Sequence, residues 1–573
     1  MPVAFFRTLS CAAALLLTTG PMVAAEGLAG AYLAGRAATY DSDFAASAQY
    51  YTRALVRDPQ NVVLMENLVY ARLAMGDIKS ALPVAQRMWE QGVQSQVANL
   101  VVVGNLALSE DYDALLGRDE AQFPISPLVD GLLDAWAYMG RGAVSDALAQ
   151  FDSVAENDEG LRFFALYHKA LALASVGDYE GAEELFAANG GQLGRSSRRA
   201  VIARVQSLSQ LGRNDEALEV LVDSFGSGFD PALSVLADQL AAGETLDFAI
   251  APTARDGMAE VFYSLAQAMS GGAADDYVLM YTRMAAMLNP KHVDAILLSA
   301  GLLDQLGRYE LSIETYKQVP RDHPDFHAAE LGRAEALRRA ANPQAAQEVL
   351  EQLVRDFPEH MAVYVDLGDL KRQEEDYAGA AAAYTQALEL GDETASNRWF
   401  LFYARGICNE RLKNWQAAED DFRAALAIDP DQPQVLNYLG YSLVERQVKL
   451  DEALSMIERA VAARPDSGYI VDSLGWVLYR LGNYEAAVGH MERAVELMPV
   501  DAVVNDHLGD VYWAVGRHLE AEFQWKRALS FPDAADANDE ADPERIRRKL
   551  DIGLDAVLAE EGAAPLQVAN DDS

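Results

Sequence analysis

Between residues 469 and 499 apolar and polar positions alternate with the period of a helix. Val471, Leu474, Gly475 and Leu478 fall three, one and three residues apart, which sets them on one stripe of a helix. Ala487, Met491 and Ala494 make a second stripe beyond Leu481-Gly482-Asn483, and Pro499 follows. The pattern predicts two short amphipathic helices, joined by a glycine turn and ended by a proline. Gly475 and Ala487 are small where the two helices meet, and Ala494 leaves room for the next helix. The pattern recurs along the chain: Gly368, Gly406, Gly440, Gly475 and Gly509 are 38, 34, 35 and 34 residues apart.

The same five units carry alanine at Ala380, Ala418, Ala453, Ala487 and Ala521, and again at Ala387, Ala425, Ala460, Ala494 and Ala528. Three of them end in Pro430, Pro465 and Pro499. A period near 34 with small residues at these places resembles the tetratricopeptide repeat (TPR). The resemblance implies an all-α fold, an α-solenoid (superhelix) of roughly 13–15 helix-turn-helix units.

Weaker copies extend the pattern towards the amino terminus. Gly35, Phe44, Tyr51, Ala54 and Pro59 mark one, and Ala170, Gly177, Ala182 and Phe186 the clearest of this half. Residues 26–231 are therefore expected to form an N-terminal TPR segment, and 276–532 a C-terminal array. Between them Pro231, Gly243, Pro252, Gly257 and Gly271-Gly272 are the densest breakers of the chain, so 232–275 is expected to be an irregular bend or boundary. After the array come an expected acidic connector (533–543), a capping helix (544–561) with Ile546, Leu550, Leu554 and Val557 on one side, and a disordered tail (562–573).

Residues 1–25 stand apart from the repeats. Arg7, the apolar run from Leu9 to Leu17, Gly20-Pro21 and the small residues before Ala25 follow the order of a secretory signal peptide. The run is shorter than the ~20 residues of a membrane span. The expected location is exported, periplasmic or envelope-associated, with cleavage near Ala25 and no integral span afterwards. Most of the apolar run follows Cys11, the reverse of a lipoprotein signal. Cys408 is the other cysteine, and its place on the first helix of a repeat predicts a buried thiol.

The formal charge is −41, from 87 acidic and 46 basic residues. Such a surface excludes nucleic acid as a partner and favours proteins presenting basic or apolar segments. No nucleophile elbow, phosphate-binding loop or paired-cysteine motif occurs. His323 and His327 have the spacing of a helical metal pair, but Pro324 breaks the helix that spacing needs. The chain reads as non-enzymatic, with no metal and no cofactor.

In a TPR array the first helix of each unit lines a concave groove. Matched by position, the groove-facing stripe here is Gln434, Asn437, Tyr441 and Glu445, then Tyr469, Asp472, Trp476 and Tyr479, then Asp506, Asp510 and Trp513. These aromatic and acidic side chains suit an extended or helical peptide with apolar and basic groups, or else they pack between helices. TPR proteins that clamp a terminal carboxylate place Lys, Arg or Asn on this stripe, whereas the fifth positions here are Val365, Tyr403, Asn437, Asp472 and Asp506. The array with its export signal looks like bacterial envelope TPR adaptors. That likeness implies a scaffold presenting substrates, such as cell-wall hydrolases, to a carboxy-terminal processing protease. A structural part of an envelope assembly or polysaccharide export machine is the alternative.

Overall fold

The structure, a computed structural model, describes residues 28–531, 541–563 and 566, apart from 158, 192, 194–196, 227–228 and 393–394. The expected signal peptide, residues 533–540 of the connector and most of the expected tail lie outside the described residues. Among the described residues there are 31 α-helices and no strand. No described helix is long and apolar enough to cross a membrane. The fold is an α-solenoid, divided between Ala346 and Gln347 into two compact units.

The first unit opens with six hairpins: α1 (Leu28–Tyr40) with α2 (Phe44–Arg57), α3 (Val62–Ala74) with α4 (Ile78–Glu90), α5 (Gln96–Leu108) with α6 (Tyr112–Leu116), α7 (Pro127–Gly140) with α8 (Val144–Asn157), α9 (Arg162–Ser175) with α10 (Tyr179–Gly191), and α11 (Arg198–Gln210) with α12 (Asn214–Phe225). Then come α13 (Pro231–Ala241), the pairs α14 (Ala254–Met269) with α15 (Asp275–Leu288) and α16 (Val293–Gln305) with α17 (Tyr309–Tyr316), and α18 (Phe326–Arg339). The unit boundary falls inside α19 (Pro343–Asp356). Helix starts are set by side-chain caps: Asp43, Asn61, Asp77, Ser95 and Asp111 each accept from the backbone N–H three residues on. The hairpin turns need a left-handed residue. Gly177 and Gly212 supply it at φ of +84° and +71°, whereas Ser42 and Glu110 are forced to φ of +56°.

Residues 232–275 do not form the expected bend at a unit boundary. They carry α14 back onto the first helices of the preceding hairpins, the set expected to line a groove. Trp136 of α7 presses so closely on α14 that a Cβ at Gly257 would lie 2.3 Å from its ring, and a Cβ at Gly104 of α5 would lie 1.9 Å from Met284 of α15. Tyr70 donates to Asp276 at 2.5 Å and Gln96 to Tyr277 at 3.1 Å. Tyr167 and Arg199 both donate to the buried Glu260, at 2.9 and 2.8 Å, and Arg199 also reaches Asp294 at 2.6 Å. Burial alone would raise the Glu260 pKa, but Arg199 and His292 outweigh it and hold the carboxyl well below its ordinary range. The breakers that suggest a bend thus serve a close approach, and the inner side of this unit is filled by its own chain.

The second unit keeps its inner side more open. It contains α20 (Met361–Gln373) with α21 (Tyr377–Leu390), α22 (Trp399–Arg411) with α23 (Trp415–Ile428), α24 (Pro433–Glu445) with α25 (Leu450–Ala463), α26 (Gly468–Arg480) with α27 (Tyr484–Leu497), and α28 (Ala502–Ala514) with α29 (His518–Ala528). Each repeat glycine faces a large side chain of its partner helix. A Cβ at Gly368, Gly406, Gly475 or Gly509 would lie 2.8, 2.7, 2.3 or 2.4 Å from Tyr384, Phe422, Met491 or Trp525. Cys408 is a buried free thiol, its pKa pushed up to about 11 by burial. The expected single capping helix is broken: α30 (Pro543–Ile552) and α31 (Leu554–Glu560) meet at Gly553, whose φ is +83°. Ile546, Leu554 and Val557 are all buried, because the break turns both short helices onto the end of the array.

Candidate functional site

The stripe that α24 and α26 turn inward, together with His507 of α28, borders a groove of about 440 Å³. The helices are locked in register by the glycine contacts, so this stripe stays on one side through three repeats. Asn437 on α24 is only 8% exposed, yet its Oδ1 has no hydrogen-bond partner among the described residues and the side chain lines the groove. A buried carbonyl oxygen left unpaired costs about 1–3 kcal/mol, which a donor from a ligand would recover. Tyr441 is half-buried beside it, and Tyr469 on α26 is 48% exposed at the rim.

Glu445 closes this side. It accepts from Trp476 Nε1 at 3.0 Å and from Arg480 at 2.9 Å. Trp476 is half-buried and stacks between the His507 ring, 3.9 Å between centroids, and Tyr479, 4.9 Å away. Tyr479 is buried, so it supports Trp476 rather than facing a ligand. Asp472 is also buried, and both its oxygens lie 3.1 Å from His507 Nδ1. Burial would lower the His507 pKa, but Asp472, with Asp506 and Asp510 behind it, outweighs this and holds it above the ordinary histidine value. The pair forms the floor of the groove.

The last repeat is different, because its stripe is covered. Lys549 of α30, with no exposed side-chain surface, places Nζ 2.9 and 2.8 Å from the two oxygens of Asp506 and 2.6 Å from Asp510. Trp525 Nε1 also donates to Asp510, at 2.9 Å. Burial raises the Asp506 pKa even though Lys549 pulls it down. Trp513 donates to Asp555 of α31 at 2.9 Å and stacks on His518 at 4.2 Å. Asp506, Asp510 and Trp513 therefore hold the chain's own cap rather than face an open groove.

Of the stripe read from the sequence, the structure brings Asn437, Tyr441, Glu445, Tyr469 and Asp472 to one open site, while Trp476 stands outside its lining and backs Glu445 and His507. Sequence reasoning missed His507 and Lys549. Lys549 sits three residues from Ile546, on the apolar side of its helix, and a lysine there opposite an Asp506/Asp510 pair was the available signal. The helices bear a known repeat. Residues 331–398, 365–433, 439–502 and 473–540 match the tetratricopeptide repeat family model. Those stretches carry TPRs. Over 172 residues it is 28% identical to a TPR repeat-containing protein of Pseudomonas aeruginosa, covering 30% of this chain and 28% of the relative. Over 80 residues it is 39% identical to the chloroplastic PsbB mRNA maturation factor Mbb1 of Chlamydomonas reinhardtii, covering 14% of this chain and 12% of the relative. The chain thus spans less than a third of either relative's length. Among solved structures, the hetero-tetramer of Cut9 and Hcn1 from the APC/C aligns over 91% of this chain and 95% of the other, at 14% identity and a TM-score of 0.37. TPR proteins in general mediate protein–protein interactions, and their repeats are typically non-catalytic.

Proposed function

We propose that the chain is a non-enzymatic scaffold that seats a segment of a partner protein in the groove of the second unit, across Asn437, Tyr441, Glu445 and Tyr469. The observation that carries this reading is the unpaired, nearly buried Oδ1 of Asn437 in an open groove. It asks for an N–H donor, which a peptide backbone or a basic side chain supplies. The last repeat, two units on, points to the same chemistry: there the matching Asp506 and, one turn away, Asp510 already take a lysine from a helix of the same chain. The partner segment is thus basic and partly apolar, with its apolar groups on Tyr441 and Tyr469.

The apolar run from Leu9 to Leu17 supports export, and the resemblance to bacterial envelope TPR adaptors supports an adaptor presenting cell-wall hydrolases to a processing protease. Affinity capture with the mature protein from envelope extract tests this, in parallel with the double variant N437A/Y469A. The expected result is recovery of a protease and hydrolases by the wild type and at least ten-fold less by the variant, at an unchanged melting temperature. Equal capture by the variant overturns the groove reading. Synthase or porin components in place of the protease make the chain a structural part of an assembly.

A further inference from the structure

The first unit holds a cation that its own chain leaves without a counter-charge. Arg283 on α15 is 7% exposed. Its Nε donates to the Ala74 carbonyl at 3.1 Å and its Nη1 to Thr315 Oγ1 at 3.3 Å. Both acceptors are neutral, and Nη2 bonds to nothing among the described residues. The guanidinium lies over the turn after α3, where a Cβ at Gly76 would meet it at 3.8 Å, and the carbonyl end of α3 offsets only part of its charge.

Other buried arginines of this chain are answered by carboxylates. Arg199 has Glu260 and Asp294, and Arg118 has Asp130 and Asp134 at 3.3 and 2.6 Å. Arg283 alone among these has none, in a chain with 87 acidic residues to draw on. The result shows in its acidity: burial, with no opposing charge, pushes the guanidinium down to about 10. Leaving a buried cation unpaired is costly, so a site like this either wastes stability or awaits an anion.

The geometry provides the room. Arg283 borders a pocket of about 610 Å³ between α4, α5 and α15, a volume in the range of small-molecule sites. Its polar lining includes Lys79, Asn105 and Gln318, and its apolar lining includes Met75, Leu82 and Met287. Lys79 is exposed and has no ion pair among the described residues.

We propose that this pocket binds a monocarboxylate with an apolar body, the carboxylate lying between Arg283 and Lys79 and the hydrocarbon lying on Met75, Leu82 and Met287. One fixed guanidinium edge, one flexible ammonium and two amides match a single carboxylate. The apolar walls take the tail, which a small hydrated anion lacks. The site is separate from the groove of the second unit and stands whether or not that groove binds a partner.

Calorimetric titration of the full chain with octanoate tests this, with octan-1-ol as the tail without charge and inorganic phosphate as the charge without tail. N-acetyl-leucine presents the same chemistry as a peptide carboxy terminus, and the tighter of the two carboxylates identifies the source. Octanoate or N-acetyl-leucine is expected to bind and to raise the melting temperature, while octanol and phosphate at equal concentration do neither. Arg283→Gln is expected to weaken binding about ten-fold or more, and Lys79→Gln about three-fold. Arg283 also caps α3, so Lys79→Gln, at an exposed position, keeps the charge test readable if Arg283→Gln does not fold. Binding of octanol as tight as octanoate, affinity unchanged in Lys79→Gln, or no carboxylate binding at millimolar concentration overturns the proposal.

Discussion

Replacing Lys549 by Met isolates the charge that fastens the cap to the array. The two side chains are close in length, so the stem packing survives and the ammonium alone is lost. That ammonium makes three contacts of 2.6–2.9 Å to Asp506 and Asp510, with no side-chain exposure. Removing one partner of such a buried set costs about 3–5 kcal/mol. Asp506, already held above its ordinary range by burial, relieves part of this by taking a proton, so the lower end, about 3 kcal/mol, is expected at neutral pH. Opening of α30 and α31 should then become about 100-fold more frequent. Hydrogen exchange at the amides of Ile546 to Lys549 reads that opening directly, and Trp513 fluorescence should shift to the red as Gly553 and Asp555 leave its ring. The pH dependence has a definite sign. A carboxyl with a raised folded pKa binds more protons folded than unfolded, so the variant's stability is full below about pH 4 and falls as pH rises through the raised value. The triple variant K549M/D506N/D510N, with no buried charge, should recover most of the loss. Exchange rates in K549M within about two-fold of wild type would refute the claim that charge holds the cap.

Three further expectations follow from local geometry. Lys413 stands at φ of +63° in a hairpin turn, so Lys413→Gly should raise stability by about 1 kcal/mol, seen as a higher denaturant midpoint with an unchanged slope. A Cβ at Gly509 would meet Trp525 Nε1 at 2.4 Å, so Gly509→Ala should cost about 1–3 kcal/mol in the same measurement. His507 has its pKa raised in the folded state, so its pairing with Asp472 contributes fully below about pH 6.5 and is lost as pH climbs through the folded value. The stability gap between wild type and His507→Gln should therefore be widest in mild acid and narrow as pH rises through the raised folded value, as read by melts across pH.

The hairpins were legible because each is built from contacts close in sequence. Gly475 and Met491 are 16 residues apart, and the spacing that brings them together repeats along the chain. Gly257 shows where such reading stops. As a residue in a sequence it is a helix breaker among other breakers, whereas in the fold it is what lets α14 approach Trp136, 121 positions away. The candidate site divides in the same way. Asn437, Tyr441 and Tyr469 could be placed from their own helices, because local periodicity decides which side they face. Asp506 and Asp510 could not, since what covers them comes from Lys549, beyond the end of the periodic region. Local patterns give orientation, and only the tertiary partner decides whether an inward side chain meets solvent or protein.

The return of α14 and α15 onto the early hairpins also bears on how the chain folds. An array joined only by neighbours can zip from any point and fray from its ends, as the repeats of the second unit are built to do. The first unit cannot finish that way, for Tyr70 reaches Asp276 across 206 positions and Arg283 reaches Ala74 across 209. Closing such long loops must precede the burial that rewards it, which slows folding and makes it more nearly all-or-none. During synthesis the first hairpins emerge well before α14 exists to cover them. Their inner faces, lined by Trp136 and Tyr167, are open for that interval, and chaperone engagement should be concentrated there.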